Sequence, residues 1–122
     1  MSFKLITPKS DFLATVQTEI PGDKGKGQKV TFSVRFKRLS MLEYEALIER
    51  INDKDKDGNR TAKDQDLIDE LLTGFGDDLF DDNGNPLEFT PDNVAALCDI
   101  FPIRPAIVTA FFDGYARAKA KN

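Results

Sequence analysis

Val30-Thr31-Phe32-Ser33-Val34-Arg35-Phe36-Lys37-Arg38-Leu39-Ser40-Met41-Leu42-Glu43-Tyr44 changes its hydrophobic period halfway along. Up to Phe36 the apolar residues alternate with Thr31, Ser33, Arg35 and Lys37, the pattern of a half-buried strand. From Ser40 the period is helical. Ser40 with Glu43 three residues later forms a capping box, and Leu39 with Tyr44 has the spacing of a hydrophobic staple. A strand therefore hands over to a helix between Arg38 and Ser40.

Upstream, Phe12, Ala14, Val16, Thr18 and Ile20 alternate in the same way. The connection Pro21-Gly22-Asp23-Lys24-Gly25-Lys26-Gly27-Gln28 is rich in glycine and charge, so the two strands form an antiparallel hairpin with a long tip. Its lysines and glycines lack the GxxxxGK[ST] spacing and precede a strand, which argues against a phosphate cradle. Downstream, Met41, Tyr44, Leu47, Ile48 and Ile51 make one apolar helix face. An acidic turn follows. Thr61 with Asp64 then caps a second helix carrying Leu67, Ile68, Leu71 and Leu72, which Thr73-Gly74 closes. Residues 76–89 form an acidic, turn-rich loop around Asp81-Asp82-Asn83-Gly84-Asn85-Pro86, flanked by Leu79, Phe80, Leu87 and Phe89 as a short second hairpin. Thr90-Pro91 opens a third helix with Val94, Leu97, Cys98 and Phe101 on one face. Pro102 and Pro105 interrupt it, and a fourth helix starts near Arg104 and carries Ile107, Val108, Phe111, Phe112 and Tyr115. Arg117, Lys119 and Lys121 suit its C-terminal end electrostatically. The expected fold class is α+β, an N-terminal antiparallel β-hairpin packed on a mainly α-helical C-terminal part of about four helices. It is expected as a single domain over residues 1–122, with the hairpin in 1–38 and the helices in 39–122.

The 122 residues carry 17 Lys and Arg against 21 Asp and Glu, a net charge of −4. That charge is sorted: residues 1–38 hold +5 and the remainder −9. Histidine and tryptophan are absent and there is one cysteine, which excludes His-dependent triads, HExxH zinc sites and an intrachain disulfide. No run of about 18 apolar residues predicts a membrane span, and the first residues lack a signal-peptide pattern. The basic end suggests two binding modes. Lys24, Lys26, Lys29, Arg35, Lys37 and Arg38 could hold nucleic acid through salt-sensitive phosphate contacts. Alternatively, a basic end meeting an acidic end gives head-to-tail association of copies.

Asp53, Asp55, Asp57, Asn59, Thr61 and Asp64, with Gly58 at the turn, imitate a twelve-residue calcium loop between two helices. Asp64 is shorter than the bidentate Glu such a loop ends on, Arg60 stands where an apolar residue belongs, and Lys54 and Lys56 oppose the charge. A solvated acidic turn is the competing interpretation. Catalysis has little support. Asp77, Asp78, Asp81 and Asp82 lie in hydrophilic turns, and Cys98 sits on an apolar helix face with no histidine to activate it. Neither an enzyme nor a cofactor is expected. Phe111 and Phe112 point about 100° apart on a helix, so one serves the core and the other an apolar patch suited to an interface. Phe111, Phe112 and Tyr115 are thus candidate partner-binding residues, with Arg35 and Lys37 facing an acidic neighbour.

The stretch Asp81 to Val94 (DDNGNPLEFTPDNV), the helix end Phe101-Pro102, the run Ile107-Val108-Thr109-Ala110-Phe111-Phe112 and the terminal Ala118-Lys119-Ala120-Lys121-Asn122 together resemble the tail assembly chaperones of long-tailed phages. The helix start at Arg38-Leu39-Ser40 to Glu45 is similar too. The resemblance spans most of the chain. It implies a phage or prophage protein that works in the host bacterial cytoplasm and is absent from the mature virion. Such proteins bind the tape measure protein, keep it from aggregating and help the tail tube protein polymerise around it. They self-associate, and a longer frameshift product is common; Lys121-Asn122 is compatible with a slippery heptamer.

Overall fold

The computed structural model describes residues 11–120, with side chains up to 116. Its first element is a hairpin of two eleven-residue strands, β1 (Asp11–Pro21) and β2 (Gly27–Lys37). Phe12 stands opposite Phe36, Ala14 opposite Val34, Val16 opposite Phe32 and Thr18 opposite Val30. Residues directly opposite share a face, so this register gathers every alternating apolar residue on one side. Between the strands, Asp23–Gly25 makes one 3-10 turn, with Lys24 and Gly25 at positive φ. A third strand, β3 (Leu72–Phe75), extends the sheet in the order β1-β2-β3, all antiparallel.

β3 corrects the expectation that Thr73-Gly74 ends a helix. Helix α2 (Asp64–Leu71) passes into the strand with no loop, because Leu72 already has extended dihedrals. Gly74 is not among the positive-φ glycines and stands opposite Arg35 in the sheet. The open edge of β2 outweighs the helix-stop signal, since Leu72 pairs with Phe36 and Phe75 with Val34. Just beyond β3, Gly76 donates its N–H to the Ser33 carbonyl at 2.8 Å, and a Cβ there would stand 2.7 Å from the Ser33 Cβ. Asp78 then accepts from the Ser33 N–H and Oγ at 2.8 and 3.0 Å. An acid expected to be merely solvated therefore seals the strand edge.

Helix α1 (Met41–Asn52) starts as the sequence requires, with both halves of the capping box present at 2.9 and 3.2 Å. Its outer turn differs from expectation: Met41 and Leu42 are 76% and 79% exposed, and Leu47 alone is fully buried. Helix α3 (Pro91–Cys98) is capped by Thr90, whose side chain accepts from the Asn93 N–H. Phe101, expected on the apolar face of α3, is 74% exposed, because α3 stops at Cys98 and the chain turns through Ile100 before a cis Phe101-Pro102 peptide. Helix α4 (Ile103–Ala120) follows, with Pro105 in its first turn, where a missing N–H costs nothing.

The buried residues form one cluster between the sheet and the helices. α4 lies across β1, and Gly114 permits the approach, since a Cβ there would meet the Phe12 ring at 3.2 Å. Phe111 fills the centre, with ring centroids 5.2 Å from Phe36 and 6.2 Å from Phe12. One turn later Tyr115 stacks on Tyr44 at 4.7 Å and its Oη accepts the Leu39 N–H at 2.9 Å. Tyr115 thereby clamps the strand-to-helix handover onto α4.

Two expectations follow. Tyr115→Phe keeps the stack but leaves the Leu39 amide without its acceptor, and should lower stability by about 1 kcal/mol; urea unfolding should show a lower midpoint at unchanged slope. Glu43 is held below its ordinary value of 4.5, chiefly by the Ser40 N–H it accepts, then by the Ser40 hydroxyl, with Lys37 adding to the effect. Its folded value is depressed, so the stability it contributes is complete above 4.5 and lost as pH falls through the folded value. Glu43→Ala should therefore be the less stable protein at neutral pH, with the gap closing in acid; a gap constant with pH would refute the assignment.

Candidate partner-binding surface

α2 and α3 both rest on α4, and a cleft of about 850 Å³ opens between them. Their sequences explain why it is apolar. On α2 and the residue after it, Ile68 and Leu72 face inward at helical spacing; on α3, Val94 and Ala95 do so. Phe89 and Pro91 close one end, with Phe89 42% exposed and its ring edge-on to Phe75 at 5.0 Å. The charged residues that line it are Asp69, Asp99 and Arg104. Asp69 accepts from Gln65 at 2.9 Å, while Asp99 and Arg104 make no ion pair among the described residues. Asp99 and Arg104 also border a second hollow that reaches the exposed Ile100 and Phe101. Apolar surface thus lies in the cleft beside Phe89 and again at Ile100 and Phe101, with Asp99 and Arg104 between the two.

Sequence periodicity missed this surface. It identified Leu72 and Val94 as core-facing but gave no sign that α2 and α3 would stand apart. Pairing between helices is a tertiary fact, and both helices satisfy their inner faces on α4.

The residues singled out for partner binding are distributed differently. Phe111 is 1% exposed and takes the core half of the Phe111-Phe112 pair; held between the sheet rings, it offers no surface to a partner. Phe112 is half-buried, edge-on to Phe111 at 5.1 Å. Tyr115 is half-buried and engaged on both sides by Tyr44 and Leu39. Arg35 pairs with Asp11 at 3.2 Å and Lys37 with Glu43 at 3.6 Å, all four partly exposed. The basic strand thus meets acids of its own chain.

The calcium-like loop is built as a turn. Asp55 Oδ1 accepts from the N–H groups of Asp57 and Asn59 at 2.9 and 3.0 Å, and Gly58 takes positive φ. Thr61 donates to Asp53 Oδ2, and Arg60 pairs with Asp64, the position that would close a calcium loop. Asp53, Asp55 and Asp64 therefore spend carboxylate oxygens on backbone amides or neighbouring side chains, Thr61 donates its hydroxyl, and Asp57 and Asn59 enter the turn through their backbone groups. Among the described residues no group of three or more acids or cysteines is placed to hold a metal ion. Asp81 repeats the same turn, accepting from Asn83 and Asn85 at 2.9 and 3.0 Å, with Gly84 at positive φ. The short second hairpin expected here is reduced to a single bridge between Phe80 and Pro86, made by two hydrogen bonds, Leu87 N–H to the Leu79 carbonyl at 2.9 Å and Asp81 N–H to the Asn85 carbonyl at 2.8 Å. Cys98 is buried, and burial pushes its thiol above the ordinary value against the opposing pull of Arg104. A raised pKa keeps it in the weakly nucleophilic thiol form.

No single helix among the described residues is long and apolar enough to cross a membrane; α3 and α4 meet the length and composition only jointly, and they bend by 102°. No curated protein and no solved structure matches the chain significantly. A family model does, without a gap at either end: the match runs over residues 1–122, and the chain belongs to the phage tail assembly chaperone family.

Proposed function

We propose that the protein binds the tape measure protein during tail assembly, keeps its apolar helical surface from aggregating and promotes polymerisation of the tail tube protein around it. The observation that carries this function is the apolar cleft beside Phe89, with Ile100 and Phe101 exposed beyond Asp99 and Arg104, on a chain whose family is one of tail assembly chaperones. Exposed apolar area rimmed by charge is what a transient protein partner requires. Phe112 lies half-exposed on α4 and extends the contact.

The tail tube protein is reached through a longer frameshift product. The protein forms homo-oligomers. The ion pairs of Arg35 and Lys37 are solvent-screened and worth little each, so either cation can exchange its own acid for one on a neighbouring copy. Work is done in the host bacterial cytoplasm, and the mature virion does not contain the protein.

Co-expression tests this directly. Tape measure protein should be insoluble alone and should become soluble and co-purify with this chain, while purified tails should contain none of it. Tape measure protein that is equally soluble without the chain, or stays insoluble with it, would sink the proposal.

A further inference from the structure

We infer that the cleft between α2 and α3 receives one short amphipathic helix whose flanks carry Lys or Arg. This deepens the function proposed above and rests on it for the identity of the partner, but not for the geometry.

The shape of the cleft comes first. α2 and α3 have eight residues each, about 12 Å of helix, and both are already seated on α4. The space between them is bounded by two helix sides and floored by Ile68, Leu72 and Val94. An amphipathic helix laid in a groove with apolar anchors at i, i+3 or i+4 and i+7 spans that length.

Charge selects the flanks. α2 carries Asp64, Asp66, Asp69 and Glu70 and no basic residue; α3 carries Asp92 and is capped at its C-terminal end by Asp99. Asp64 and Glu70 are taken by Arg60 and Arg50. Of the remaining acids, Asp69 and Asp99 line the cleft and make no ion pair among the described residues, against one lining cation, Arg104, while Asp66 and Asp92 lie on the same helices outside the lining. The walls are therefore net acidic, and they attract a helix with basic flanks and repel one with acidic flanks. Arg104, unpaired beside Asp99, fixes the polarity of the bound helix by meeting its carbonyl end, where the helix dipole is negative.

The test uses the full chain and two synthetic amphipathic peptides of about four turns, long enough to hold helix in solution. They share leucines at the anchor positions and carry either Lys or Glu on the flanks. The Lys peptide should bind about tenfold more tightly than the Glu peptide, the value expected from two exposed charge pairs. The difference should shrink with added salt. Asp69→Lys with Asp99→Lys should reverse the preference. Ala95→Trp, which fills the cleft from an exposed position, should abolish binding of both peptides. Unchanged binding in Ala95→Trp, an unreversed preference, or no binding of either peptide to the parent chain overturns the inference. The charge-reversal pair keeps the test standing should the tryptophan disturb α3. Tape measure protein that is still solubilised by Ala95→Trp overturns this use of the cleft while leaving the proposed function intact. Peptide binding by a parent chain that fails to solubilise tape measure protein supports the cleft and overturns that function.

Discussion

The contact between Phe36 and Phe111 holds the molecule together. It joins the middle strand of the sheet to the longest helix, and each ring is almost completely buried. Phe12 packs on both and Tyr115 on Phe12 and Phe111, so four aromatic residues from β1, β2 and α4 make one nucleus. Edge-to-face pairs of this kind add to the stabilisation from area burial and also fix orientation. Because α4 is oriented by that nucleus, every helix packed on α4 inherits its placement. α2 and α3 stand where they do because α4 does, and the cleft between them is a consequence of the sheet.

Much of this was legible from local pattern. The period change after Phe36, the Ser40 and Glu43 box and the Thr90-Pro91 helix start describe the chain within a few residues, because each depends only on neighbours a turn away. Alternation told which hairpin residues share the inner face, while the cross-strand register also depends on the length and geometry of the tip. β3 was not legible, because Leu72-Thr73-Gly74-Phe75 is too short to show a period and contains a residue that usually ends helices. Only the waiting edge of β2 makes it a strand. The exposure of Met41, Leu42 and Phe101 was hidden for a similar reason: periodicity says which residues share a face, not whether anything lies against it. The cleft depends on two helices failing to touch, which no stretch of sequence encodes.

The twin turns illustrate how a motif can mislead. Asp55-Lys56-Asp57-Gly58-Asn59 and Asp81-Asp82-Asn83-Gly84-Asn85 fold alike, each with a leading aspartate whose Oδ1 gathers two backbone amides and a glycine at positive φ. The oxygens that look like ligand spacing are what the backbone of such a turn needs for itself. Seen once, the pattern suggested a cation. Seen twice, and once without any calcium-loop context, it is a way of reversing the chain between elements.

The eight-residue length of α2 and α3 carries a consequence of scale. A groove about 12 Å long covers only about two turns of a helical partner. A partner many turns long is then shielded by the number of copies lined up along it, with each copy holding briefly and weakly. Protection becomes a matter of stoichiometry, and such a coat can be removed one unit at a time as something else grows into its place.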